Sequence, residues 1–233
     1  MSSRIYLPSV ADIGAVFTEE CTALGATEID TYEDDRRLFQ RAVVTPAEEV
    51  QPGDPIRGGI ALRAVGSVVD VHPYTWRQVC TNGAIMATAT DTFRIARIEV
   101  ETVSASAAFV GDFVTELRHA IQTCANPRYL VESREAMRGA AETKAEAMLS
   151  MLSHLLRMRR DEREELVSMI LGRYEEDTDR SAYGVVNAVT SVARDTEDPA
   201  LRWRLEQIGG KLLDMAFALA SRSGAPARVH ACA

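Results

Sequence analysis

The chain has 233 residues, of which 46% are hydrophobic and 26% charged, a composition that can bury a core and that excludes wholesale disorder. The formal net charge of −8 argues against a generic nucleic-acid binder, which would be basic. We expect a cytoplasmic protein, since the N-terminus lacks a signal-peptide pattern. Its cysteines should be free thiols, because no CxxC pair occurs. We expect no membrane span, because no apolar run approaches about 18 residues.

Residues 36–100 are rich in Val, Ile, Thr and aromatic residues separated by Gly and Pro, and they predict an antiparallel β-meander. We expect turns at Gly66-Ser67 and at Asn82-Gly83, because Gly and Asn adopt positive φ at low cost. Before the meander, residues 1–35 form an acidic segment, and we expect its run of carboxylates in a solvated loop. The run consists of Glu28, Asp30, Glu33, Asp34 and Asp35.

From Ser104 onward, apolar residues recur at spacings of three and four, which is typical of amphipathic helices. The first of these helices is expected to pack against the sheet, and the second to be long, from Ser133 to Met158. Asp198-Pro199 is a strong helix start, because an aspartate cap precedes proline at the first helical position. Two further helices are expected to begin near Asp161 and Asp179.

These patterns predict an α+β protein in which an antiparallel meander is followed by a helical C-terminal half. The sheet core with its packing helix is expected at 36–130, after the acidic segment 1–35. A helical region should follow at 131–222, with a frayed tail at 223–233. We expect these parts to form one continuous domain.

Residues 51–98 are the only stretch in which cations outnumber acids, and every cation there is an arginine. Arginines neutralise phosphates and aromatic rings stack on bases, so the stretch suggests a surface for single-stranded nucleic acid. The alternative is a solvated sheet face on which the arginines pair with nearby acids. On the first interpretation, Arg63, Arg77 and Arg94 should share one exposed surface. The full candidate set is Arg57, Arg63, Arg77, Arg94 and Arg97 with Tyr74 and Trp76.

Cys80 lies near His72 and Asn82, and a Cys, His and Asn set performs acyl transfer in some proteases. Nothing in the sequence predicts a depressed thiol pKa, and free cysteine is among the most buried residue types, so packing is the favoured role. The histidines have no ligand spacing for zinc, and no phosphate-binding or dinucleotide-binding glycine motif occurs. We therefore expect a protein without a catalytic centre, metal site or cofactor.

The segment from Tyr74 to Gly83 resembles the phage- and plasmid-associated proteins that carry domain of unknown function 932. Its most specific part is the motif Cys80, Thr81, Asn82 and Gly83 with Arg77 before it. The stretches Gly58–Leu62, Val71–Tyr74 and Tyr183–Thr190 also resemble the family, so that the likeness covers about residues 36–215. The chain departs from the family at Val65-Gly66-Ser67, where Asn-Ser and Gly are common, and near Ile98, where a histidine is missing.

The resemblance implies a DNA-associated binding protein of a mobile genetic element. The order of a meander and a long helix also resembles the core of phage single-strand annealing recombinases, which implies single-stranded DNA binding or annealing by a homo-oligomer. The alternative is a partner-binding regulator or inhibitor that binds no nucleic acid and uses the acidic N-terminal region or the helical half. An enzyme ranks third, because no acid/base pair or metal cluster emerges from the sequence.

Overall fold

The computed structural model describes residues 5–79, 82–87, 92–100 and 107–222, and it confirms the predicted α+β class. The strands are β1 (Ile5–Leu7), β2 (Glu28–Glu33), β3 (Arg37–Val43), β4 (Glu48–Glu49), β5 (Pro55–Val65), β6 (Val68–Val79), β7 (Asn82–Ala87), β8 (Phe93–Ala96) and β9 (Ile98–Val100). The helices are α1 (Val10–Ala23), α2 (Ala107–Cys124), α3 (Arg128–Ala141), α4 (Glu146–Leu155), α5 (Arg160–Glu176), α6 (Ala182–Asp195) and α7 (Pro199–Arg222).

The main sheet has seven antiparallel strands in the order β2-β3-β5-β6-β7, while β4 pairs with β5 and β8 pairs with β6. A separate two-stranded sheet joins β1 to β9. The turn between β5 and β6 contains Gly66 at φ +57°, a conformation that glycine adopts without a steric penalty. The predicted β5–β6 turn is therefore confirmed. The turn predicted at Asn82-Gly83 is wrong, because both residues lie in a strand, as the first two residues of β7.

The N-terminal segment differs from the expected acidic loop, because it forms α1 and the edge strand β2. Ser9 caps α1, and its side chain and that of Asp12 each accept a hydrogen bond from the other residue's backbone. On the buried face of α1, Ile13 and Phe17 follow the helical spacing. The acids of 28–33 lie in a strand because β3 pairs with the whole of β2.

The long helix predicted from Ser133 to Met158 is wrong, because it is two helices, α3 and α4, separated at residues 142–145. The break has a tertiary cause: the carbonyl of Thr143 accepts a hydrogen bond from the backbone N–H of Ala182 at 2.8 Å. Asp179 does not cap α6 itself. It accepts a hydrogen bond from the backbone N–H of Ser181, and the Ser181 hydroxyl is the cap. The predicted start of α7 at Asp198-Pro199 is confirmed.

Backbone packing divides the chain into two compact units. The first consists of the described residues within Met1–Glu48, Ile56–Trp76 and Ala87–Leu130. In this unit, α1 and α2 cover one face of the sheet. The core between them contains Phe17, Leu38, Ile60, Leu62, Val69, Val71, Ile95, Leu117 and Ile121.

The second unit consists of the described residues within Glu49–Pro55, Arg77–Met86 and Val131–Ala233. Its centre is α6, which packs against α4, α5 and α7 and is buried along almost its whole length. Burial on all sides explains why α6 carries an apolar and small-residue sequence rather than a charged outer face. Among the described helices, none has a stretch long and apolar enough to cross a membrane.

Candidate nucleic-acid interface

In the first unit, the sheet face opposite α1 and α2 carries a row of side chains that crosses five strands. Tyr32 of β2 pairs with Phe39 of β3, and Phe39 pairs with Arg63 of β5. Asp70 of β6 pairs with Arg94 of β8, and Arg63 contacts Asp70 across the β5–β6 hairpin. Residues paired across strands point to the same face, so these side chains form one line. Arg37 precedes Phe39 by two residues on β3 and therefore points to the same face. We call Tyr32, Arg37, Arg63, Asp70 and Arg94 the arginine stripe.

A single buried carboxylate holds two arginines of the stripe. Asp70 accepts a hydrogen bond from Nη1 of Arg63 at 3.1 Å and from Nε of Arg94 at 2.8 Å. The Asp70 side chain is 3% exposed, whereas those of Arg63 and Arg94 are 34% and 71% exposed. Each guanidinium has five N–H donors, and among the described residues only Asp70 accepts from these two arginines. This part of the stripe therefore keeps one positive charge and several outward donors.

The other end of the stripe combines an exposed ring with a third arginine. Tyr32 is 41% exposed, and the Cζ atom of Arg37 lies 5.8 Å from the centroid of its ring. Arg37 also donates from Nε to Asp34 at 2.8 Å, and this hydrogen bond lowers the pKa of Asp34. Phe39 supports the ring from one side in an edge-to-face contact at 6.1 Å. Tyr32 and Arg37 are not in the predicted set, because the candidates came from the arginine-rich stretch 51–98 and Tyr32 was expected in a loop.

Two of the five candidate arginines hold the fold of the first unit. Arg57 donates from Nε to the carbonyl of Thr45 at 3.2 Å and from Nη2 to the hydroxyl of Thr27 at 2.6 Å. Arg97 is buried and donates to the carbonyls of Pro8 and Gly66, each at 2.8 Å. Their guanidinium groups therefore satisfy loop carbonyls and a hydroxyl, which would otherwise lack donors.

The two candidate aromatic residues do not belong to the stripe. Tyr74 is buried, and its ring lies where a Cβ atom on Gly59 would stand. The same Cβ would also overlap the carbonyl of Ala42, so Gly59 permits a close approach of strands and ring. Trp76 is half-buried near the end of β6.

Arg77 was expected to lie outside with Arg63 and Arg94, and that prediction is wrong. Its Nε donates to Oδ1 of Asp54 at 2.5 Å, and its guanidinium lies over the ring of Tyr183 at 5.0 Å. The Tyr183 hydroxyl donates to Oδ2 of the same Asp54 at 3.0 Å. Burial raises the pKa of Tyr183, so this hydroxyl stays protonated and remains a donor. The cluster is a buried network of the second unit, because an arginine in a desolvated site needs a counter-charge.

The recognisable motif falls partly outside the described residues: Cys80 and Thr81 lie there, and the burial predicted for Cys80 stays a prediction. Cys21 and Cys124, the free cysteines among the described residues, are both buried. Burial raises the pKa of Cys21 to about 12, which makes its thiol a poor nucleophile. Among the described residues, no group of three His, Cys, Asp or Glu side chains is placed to hold a metal ion.

Comparison of this chain with protein-family models, with curated proteins and with solved structures gives no match. The resemblance to the proteins that carry domain of unknown function 932 therefore stays a prediction that rests on the residues themselves.

Proposed function

We propose that the arginine stripe binds single-stranded nucleic acid, as part of a DNA-associated protein of a mobile genetic element. The observation that carries the proposal is the sharing of Asp70 by Arg63 and Arg94. Two cations bound to one acid keep a net positive charge, and their free N–H donors suit phosphate oxygens. The exposed ring of Tyr32 on the same face offers a stacking platform for a base.

The charges of the stripe also set the expected strength of binding. The stripe has three arginines, which form ion pairs with two aspartates, Asp34 and Asp70. The local net charge is therefore only +1. The chain as a whole carries −8 and repels a polyanion at long range. We therefore expect weak, salt-sensitive binding, with a Kd on the order of 10⁻⁴ to 10⁻⁶ M at physiological salt, without strong sequence preference.

Annealing of complementary strands and assembly into a homo-oligomer are the finer parts of the proposal. A single stripe holds one strand, so annealing requires stripes of several copies to present strands to one another. Sedimentation velocity with and without an oligonucleotide measures the assembly. Loss of fluorescence when two labelled complementary strands pair measures the annealing.

The direct test is fluorescence anisotropy with a labelled 20-nucleotide oligo-dT at 50 and 200 mM NaCl. Tyr32→Ala should weaken binding by about 1–3 kcal/mol, the usual contribution of one base stacked on an aromatic ring. Arg94→Gln should lower the slope of log affinity against log salt by about 0.7, the effect of losing one phosphate contact on a single strand. Arg63 remains beside Asp70 in this variant, so the buried acid keeps a partner.

The matched control is Arg160→Gln, which removes an arginine of similar exposure from α5. It makes the same change in net charge, and its affinity and salt slope should stay at the wild-type values. The proposal fails if the wild-type protein shows no binding at 50 mM NaCl. It also fails if Arg160→Gln and Arg94→Gln weaken binding equally, because the contacts would then be diffuse rather than located at the stripe.

A further inference from the structure

The second unit contains an open groove of about 650 Å³, lined by α5, the residue Met158 before it, and the start of α7. Leu166 and Leu201 contribute aliphatic side chains, and Met158 and Met169 contribute thioethers. Met169 is 51% exposed, the largest value among the exposed large hydrophobic residues of the described chain. Met158 and Leu201 are half-buried and Leu166 is buried, so Met169 is the exposed member of this apolar group. Apolar side chains grouped in one concavity are typical of an interaction site, whereas scattered single ones are not.

Acidic side chains surround this apolar surface. Glu162, Glu165 and Asp198 line the groove, against Arg204 as the cation of the lining. Arg204 donates to the carbonyl of Arg157, and among the described residues Glu165 has no ion pair. Glu162 pairs with Arg159 at 3.4 Å, so the groove with this arginine at its rim carries a net charge of about −1, which disfavours a phosphate backbone.

We propose that this groove binds a basic amphipathic helix of a protein partner. An amphipathic helix places its apolar side chains in a hydrophobic groove and its polar face at the rim. Lysine or arginine at the flanks of such a helix would face Glu162, Glu165 and Asp198, which gives charge complementarity. Methionine suits this role because its unbranched, polarisable side chain adapts to different apolar surfaces. This site is independent of the arginine stripe, because its charge selects the opposite kind of ligand.

The test uses a fluorescein-labelled 14-residue peptide of leucine and lysine, with its leucines spaced to form one face of a helix. A second peptide of the same composition has its leucines distributed around the helix. We expect the wild-type protein to bind the amphipathic peptide at least tenfold more tightly than the redistributed one. Equal affinities would overturn the proposal, because net charge alone would then explain the binding.

Two matched variants locate the site. The double variant Met169→Ala with Glu165→Lys changes the groove, and we expect it to lose at least tenfold in affinity for the amphipathic peptide. The control double variant Met151→Ala with Glu132→Lys makes the same chemical change at exposed positions of α4 and α3. It should bind within twofold of wild type, and an equal loss in both double variants would overturn the proposal.

A measurement on the wild-type protein can locate the bound peptide without any variant. With ¹³C-labelled methionine methyl groups, addition of the amphipathic peptide should shift the resonances of Met158 and Met169 and leave that of Met151 in place. A shift of Met151 without shifts of Met158 and Met169 would place the peptide elsewhere and overturn the proposal.

Discussion

Asp54 is the carboxylate on which a buried network of the second unit depends. It is 7% exposed and accepts hydrogen bonds from Arg77 at 2.5 Å and from Tyr183 at 3.0 Å. Asp54→Ala removes both acceptors at once. It leaves the guanidinium of Arg77, which is 15% exposed, without its hydrogen-bonded counter-charge. The hydroxyl of Tyr183 keeps only a weak acceptor, the sulfur of Met137 at 3.9 Å.

The expected cost follows from these two losses. Removing one partner of a buried ion pair destabilises a protein by about 3–5 kcal/mol. Stranding a buried hydroxyl costs about 1–3 kcal/mol, but both losses occur in one cluster and do not add fully. We therefore expect Asp54→Ala to lower the free energy of unfolding by about 3–5 kcal/mol. Adding Arg77→Met removes the unpaired charge, so the double variant should recover part of this loss.

Urea unfolding followed by tryptophan fluorescence measures the effect. Trp203 is buried in the same unit as the network, and a Trp76→Phe background makes it the sole tryptophan. The free energy of unfolding is then compared for the single variants Asp54→Ala and Arg77→Met and for the double variant. Their difference from additivity is the coupling free energy of the pair.

Asp195→Ala is the matched control, because Asp195 also joins two arginines, Arg173 and Arg194. Its side chain is 41% exposed, and exposed ion pairs contribute only about 0–1 kcal/mol. Because Asp54 is buried and Asp195 is exposed, the free energy of unfolding of Asp54→Ala should be lower than that of Asp195→Ala by about 2 kcal/mol or more. The reasoning is refuted if Asp54→Ala and Asp195→Ala lower the free energy of unfolding equally.

Two further stability predictions follow from buried groups. Burial lowers the pKa of His72 from 6.5 to about 4, so the unfolded chain takes up this proton first and stability falls as the pH falls from 6.5 to 4. At pH 5 the free energy of unfolding should be lower by about 2 kcal/mol. Urea titrations measure the free energy of unfolding as a function of pH. His72→Gln should flatten this dependence, whereas His119→Gln, at an exposed position, should not. A Cβ on Gly184 would overlap the carbonyl of Asp179, so Gly184→Ala should cost about 1–3 kcal/mol. Gly172→Ala, which meets nothing within 4 Å, should instead raise the Tm, and a drop of equal size in both variants would contradict this account.

The sequence by itself determined the elements whose signals are local. The change from strand-like to helical periodicity predicted the α+β class, and Asp198-Pro199 predicted the start of α7, because cap and proline act on neighbouring backbone groups. Gly66 predicted the β5–β6 turn because positive φ is a property of one residue. The capping box at Ser9 and Asp12 is a comparable local signal, because it fixes the start of α1 through neighbouring backbone groups.

Only the tertiary structure decided what each arginine does, because a guanidinium takes its partner from whichever segment the fold places beside it. Arg77 pairs with Asp54, 23 positions earlier, and Asp54 in turn accepts from Tyr183, 129 positions later. Arg63 and Arg94 meet at Asp70, which lies 7 positions from one and 24 from the other. Counting charges along the sequence does not show which distant residues the fold brings into contact. The sequence could therefore name the candidate arginines but could not separate the buried from the exposed ones.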